Sequence, residues 1–173
     1  ALSLASEFIE NPPGRTPTDY QEQKQDCELK AFDRLAATLK ATFPQLRLCL
    51  SFDSLYGCGR AFAICQQNHW HFVVTFKEGR TPELWQEFQA LLKLGPEQKR
   101  TVTLPDKTRR VYRWVEQLPY IDSEKRSWTL GAILCEETSP TGEKTTLAWL
   151  TNLAVNRDSV MAIADQVGRL RQK

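Results

Sequence analysis

The stretch Leu48-Cys49-Leu50-Ser51-Phe52-Asp53-Ser54-Leu55-Tyr56-Gly57 runs apolar and then ends abruptly in one carboxylate followed by small residues. A strand that reads this way delivers Asp53 to the carboxyl end of a sheet, where open α/β sheets keep their sites. Its strand portion, Leu46 to Phe52, is nearly continuous in apolar residues, which predicts burial on both faces. Downstream, Gly57 to Gly59 make a turn, Phe62 to Cys65 sit in a short helix ending near Asn68, and Trp70 to Phe76 read as a second buried strand. Strand, helix and strand joined by short loops form a βαβ unit, so the fold class expected is α/β with two parallel strands.

Working outward, Cys27, Ala31, Leu35 and Leu39 recur at helical spacing between Lys24 and Lys40, and Pro44 stops the pattern. Leu2 to Ile9 alternate enough for a short strand, followed by loop chemistry from Pro12 to Pro17. On the other side, Thr81-Pro82-Glu83 is a helix start, with Trp85, Phe88, Leu91 and Leu92 as its buried stripe and Gly95 as its end. After Gly95 the pattern becomes β-rich. Thr101 to Leu104 and Arg110 to Val115 flank a Pro105-Asp106-Lys107 turn, and Trp128 to Cys135 and Thr146 to Leu150 flank Pro140-Thr141-Gly142. Asp158 is the expected cap of a last helix whose apolar face is Val160, Ile163, Ala164, Val167 and Leu170. The organisation expected is a core segment over 1–95, an antiparallel β-rich insertion over 96–156, and the start of a terminal core helix over 157–173.

The chain of 173 residues, 41% hydrophobic and 25% charged, has the make-up of a soluble globular domain. Its longest apolar runs fall far short of the roughly 20 residues that span a bilayer, so no membrane partner is expected. Five cysteines form an odd set without a CxxC pair, which fits reduced thiols and a cytoplasmic location. The first residue is Ala1 and no basic-then-apolar leader follows it, so the amino terminus reads as a cut end and the chain as a fragment. A net charge of +2 does not by itself argue for nucleic acid, so the distribution of charge must decide.

Asp53 fits two roles, a ligand for a hard cation such as Mg²⁺ or a cap on the turn that follows it. One carboxylate does not make a metal site, and Asp26, Glu28 and Glu78 are the acids nearest in sequence. Lys77, at the end of the second strand, can approach a phosphate near Asp53 or be solvated there. Cys58, Cys65, His69 and His71 have the wrong spacing for zinc, because the two cysteines lie too far apart for a standard knuckle. Lys99, Arg100, Lys107, Arg109, Arg110 and Arg113 gather on one predicted hairpin, with Tyr112 and Trp114 interleaved. Such a hairpin can bind a nucleic-acid backbone or simply present a solvated face. Trp128 and Trp149 lie in apolar runs and read as core.

The ordered set Ser3-Leu4-Ala5-Ser6-Glu7-Phe8-Ile9, Lys24-Gln25-Asp26-Cys27-Glu28, Asp53-Ser54-Leu55-Tyr56, Val74-Thr75-Phe76-Lys77-Glu78-Gly79, Tyr112-Arg113-Trp114-Val115, Thr151-Asn152-Leu153 and Gly168-Arg169-Leu170-Arg171 resembles the catalytic domain of bacterial insertion-sequence transposases of the DDE type. The resemblance covers nearly the whole chain. It implies an RNase H-like core in which two aspartates and a glutamate bind Mg²⁺ or Mn²⁺ for DNA strand cleavage and transfer at transposon ends. It also implies a β-rich insertion before the helix that bears the glutamate, double-stranded DNA as partner, and a homodimer in the synaptic complex. By the same resemblance Asp53 is the second aspartate, both catalytic and metal-binding. Arg171 matches the arginine of the family's Tyr-Arg-Glu-Lys signature, while Gly168 stands where that signature has tyrosine and Gln172 where an aromatic is common. The DNA-binding residues expected are Lys77, Arg109, Arg110, Arg113, Arg169 and Arg171. The first aspartate is expected upstream of residue 1 and the glutamate just past Lys173, so the chain alone should be catalytically silent. The competing readings are a non-catalytic remnant that binds DNA or a partner through the hairpin, and another RNase H-like nuclease.

Overall fold

The strand β2 (His71–Thr75) organises the molecule, because Phe72, Val73 and Val74 are all buried and neither face of the strand meets water. A strand apolar on both faces needs a neighbour on each edge and a layer on each side. The computed structural model, which describes residues 4–8 and 19–171 apart from the side chains of 19–27 and 171, supplies all four. On one edge β1 (Cys49–Phe52) pairs parallel to β2, with Phe52 opposite Val74, and α2 (Gly59–Gln67) connects the two. On the other edge β6 (Lys144–Thr151) pairs antiparallel, with Val74 opposite Leu150.

The sheet continues through β5 (Ser127–Thr138) and β4 (Arg109–Ile121) to β3 (Lys99–Thr103), giving six strands in the order β1-β2-β6-β5-β4-β3. The strands expected as an insertion are therefore hydrogen-bonded into the same sheet as the parallel pair. Between Val115 and Leu118 the β4–β5 register slips by one residue. That bulge swaps the parity of β4, so Val115 and Leu118 both face one core while Tyr112 and Trp114 face the other.

Three helices cover the first face: α1 (Asp19–Thr42) through Phe32 and Ala36, α2 through Ala61, Phe62 and Cys65, and α3 (Pro82–Leu94) through Leu84, Phe88 and Leu92. The second face is covered by α4, a helical run over 160–171 wound as a π-helix over Ala162–Val167 and as a 3-10 helix over Gly168–Arg171. Val160, Ile163 and Ala164 of α4 pack on Val73, Ile133, Cys135 and Trp149. Among the described residues no helix is long and apolar enough to cross a membrane.

Three expectations are corrected in detail. Residues 4–8 of the expected first strand are not in a strand, and its remaining positions lie outside the described residues. β1 is an edge strand rather than one buried on both faces, with Cys49 exposed and only Phe52 buried. The turn over 157–159 that leads into α4 is capped by Asn156 instead of Asp158: the Asn156 Oδ1 accepts from the amides of Asp158 and Ser159 at 2.9 and 3.0 Å, and Ser159 Oγ accepts from Asn156 N at 3.0 Å. Asn and Asp cap equally well, so composition alone does not choose between them.

Candidate functional site

Asp53 follows the last residue of β1 and begins a 3-10 turn over Ser54–Tyr56. Its Oδ1 accepts from Leu55 N at 2.9 Å, which satisfies an amide that the short turn leaves without a partner. The turn is held from below by aromatic packing, with Tyr56 stacked on Phe52 at 4.9 Å and both rings edge-on to Phe32 of α1. Thr75 Oγ1 donates to Phe52 O at 3.4 Å and ties the ends of the two parallel strands together. Asp53 is thus a fixed carboxylate at the carboxyl end of the parallel pair, half-buried and already serving as a cap.

Lys77 leaves β2 at the same end of the sheet and is exposed, as is Glu78 beside it. Glu28 lies half-buried on α1, and the side chain of Asp26 is outside the described residues. Among the described residues no three His, Cys, Asp or Glu side chains converge as a metal site. Mg²⁺ binds through several oxygens in near-octahedral geometry, so the described residues do not by themselves fit a divalent ion at Asp53.

The basic hairpin is divided between the two faces of β4. Arg110 and Tyr112 point to the α4 side, whereas Arg109 and Arg113 alternate to the other. Arg110 Nε bonds Glu137 Oε2 at 2.6 Å, and its Nη1 lies 3.4 Å from Asp165 Oδ1. Arg169, from α4, meets the same two acids at 2.9 and 3.0 Å and donates to Cys135 Sγ at 3.4 Å. Tyr112 closes the cluster by donating to Asp165 Oδ2 at 2.7 Å. Burial, and then that donated bond, raise the Tyr112 hydroxyl above the usual phenol range. Burial alone would lower Arg110, but its bond to Glu137 and the charge of Asp165 raise it instead.

Of the other expected DNA contacts, Arg113 pairs with Glu136 at 3.1 Å and Arg109 is exposed at the start of β4. Arg171 has a helical backbone, with its side chain outside the description. Tyr112 and Trp114 are 0% and 3% exposed, so they serve the core and are not available as stacking platforms. Trp149 is buried as well, and Trp128 packs partly buried against the first core.

A cluster absent from the sequence reading lies at the β4–β5 turn. Asp122, 6% exposed, accepts from the amides of Glu124 and Arg126, from Arg126 Nε and from Trp128 Nε1, all within 2.7 to 2.9 Å. Burial pushes this carboxyl up, but the donors led by Trp128 and Arg126 outweigh it and hold it down at about 2. The amino end of α2 closes over it: a Cβ on Gly59 would sit 1.8 Å from Asp122 Oδ2. The sequence signal was the Asp-x-x-x-Arg-x-Trp spacing at a hairpin turn, which acquires meaning only when the turn type is known.

Comparison of the chain with protein-family models, with curated proteins and with solved structures returned no match.

Proposed function

We propose that this chain carries the strand bearing the second aspartate of a DDE-type transposase catalytic domain with an RNase H-like core, acting on double-stranded DNA at transposon ends. The observation that carries the reading is the placement of Asp53: a carboxylate fixed at the carboxyl end of a parallel β1–β2 pair, with Lys77 leaving the same end. The neighbourhood of α4 supports it. Ser51 Oγ of β1 donates to Val167 O at 3.2 Å, so α4 returns across the strand that delivers Asp53. In the family that this sequence resembles, that helix bears the glutamate. Lys77 and Arg109 are then the exposed contacts for DNA phosphate, while Arg110 and Arg169 hold α4 in place.

Among the described residues no further acids converge with Asp53, so this reading expects the two-metal centre to need acids supplied from elsewhere. The test compares this chain with the same coding frame extended in both directions, on a duplex carrying transposon-end sequence. The extended protein is expected to nick the duplex in Mg²⁺ or Mn²⁺ but not in EDTA, with the Asp53→Asn variant losing about 10²- to 10³-fold, the loss typical of a missing catalytic electrostatic partner. Binding that survives EDTA, falls steeply with salt and is unchanged by Asp53→Asn would instead make the chain a DNA-binding module.

A further inference from the structure

We propose that a groove at the amino ends of β1 and β2, at the opposite end of these strands from Asp53, binds a phosphate group. The groove has a volume of about 540 Å³ and is bordered by Lys40 from the last turn of α1, Arg47 ahead of β1, His69, Trp70 and His71 around the start of β2, and Asn152 after β6. Every ionisable side chain on its wall is a base, and no carboxylate lines it. Among the described residues Arg47, His69 and His71 form no ion pair, in contrast to Arg110, Arg113 and Arg169. Lys40 Nζ donates once, to Pro44 O at 2.9 Å, and an ammonium has three donors.

One further observation points to an occupant. Helix α2 ends with His69 N bonded to Gln66 O at 3.1 Å and Trp70 N to Cys65 O at 2.8 Å, the paired bonds of a Schellman cap. The left-handed residue of that cap is normally glycine, yet here it is His69 with φ of 56°. The helix end would be better served by glycine, so the imidazole is kept for something other than the cap. Trp70, 2% exposed, borders the groove and so reports on its occupancy.

The charge balance favours an anion in spite of the helix ends. The carboxyl ends of α1 and α2 each bring about half a negative charge, or about one together, against full charges on Lys40 and Arg47 before either histidine is counted. Asn68 Nδ2 further caps Ile64 O at 2.9 Å. The source of the phosphate is a nucleic-acid backbone or a free phosphate compound, since both present the same oxygens.

The proposal stands independently of Asp53 and is tested on this chain by NMR, following the indole N–H and histidine ring signals. Inorganic phosphate is titrated first, then a short duplex in competition with it. The expected result is a saturable shift of the Trp70 and His69 signals, weakened about five- to tenfold in both His69→Gly and Arg47→Gln as one charged hydrogen bond is lost from each. The thermal midpoint of His69→Gly should equal or exceed that of wild type, because glycine relieves the left-handed backbone. Displacement of phosphate by the duplex assigns the groove to a nucleic-acid backbone, and persistence of phosphate assigns it to a free phosphate compound. Signals that stay still in both titrations, or a His69→Gly variant that binds phosphate as wild type does, overturn the proposal.

Discussion

Arg110 and Arg169 lie between α4 and the antiparallel strands, where each meets both Glu137 and Asp165. Arg47 and His71, at the amino ends of the parallel strands, meet no carboxylate among the described residues, although both regions hold several bases. In the first region the strand register sets Arg110 opposite Glu137, and the helix sets Asp165 four residues before Arg169, so charge is consumed inside the molecule. In the second, the bases come from a helix end and two loops that bring no acid with them. Positive charge in a sequence therefore becomes a binding surface only where register and helix phase leave it unmatched.

The largest test of this difference is Asp165→Ala, which removes at once an acceptor for Tyr112, Arg110 and Arg169. Leaving two partly buried guanidinium groups with one carboxylate should cost about 3 kcal/mol in urea or thermal unfolding. An Asp165→Ala protein as stable as wild type would show the cluster to be a surface ornament.

A second test uses pH. The folded Asp122 carboxyl is held at about 2, below its unfolded value. Its contribution is therefore complete above the ordinary carboxylate range and is lost as pH falls through about 2. Thermal midpoints measured down an acid series should fall less steeply in Trp128→Phe, which removes one of the donors holding that carboxyl ionised. Parallel acid profiles for the two proteins would mean that the Trp128 bond is not what keeps Asp122 charged.

The smallest effect is expected at the unmatched end, where Arg47→Gln should change stability by no more than about 0.5 kcal/mol, as for a surface position without partners. A loss comparable to that of Asp165→Ala would erase the distinction between the two regions.

Much of the fold was legible because local chemistry and tertiary placement agree. The run His71–Thr75 had to be an interior strand, Thr81-Pro82-Glu83 had to start a helix, and Pro105-Asp106-Lys107 had to turn one strand into the next. Asp53 was legible as a residue at a strand end, and its capping bond to Leu55 was one of the two roles open to it. The edge position of β1 was not legible, because apolar residues on an outer strand spell the same sequence as those on an inner one. The Asn156 cap was missed because Asp158, two residues on, offers the same kind of acceptor.

The sequence by itself determined where the strands and helices after residue 18 lie, since periodicity and turn residues act over a few neighbours. It also determined that a carboxylate ends β1. Only the tertiary structure decided that six strands form one sheet, that a bulge after Val115 turns Leu118 to the same core as Val115, and that His69 is left-handed beside Trp70. Those outcomes depend on contacts between segments tens of residues apart, where hydrogen-bond pairing and burial choose among partners that local sequence leaves equivalent.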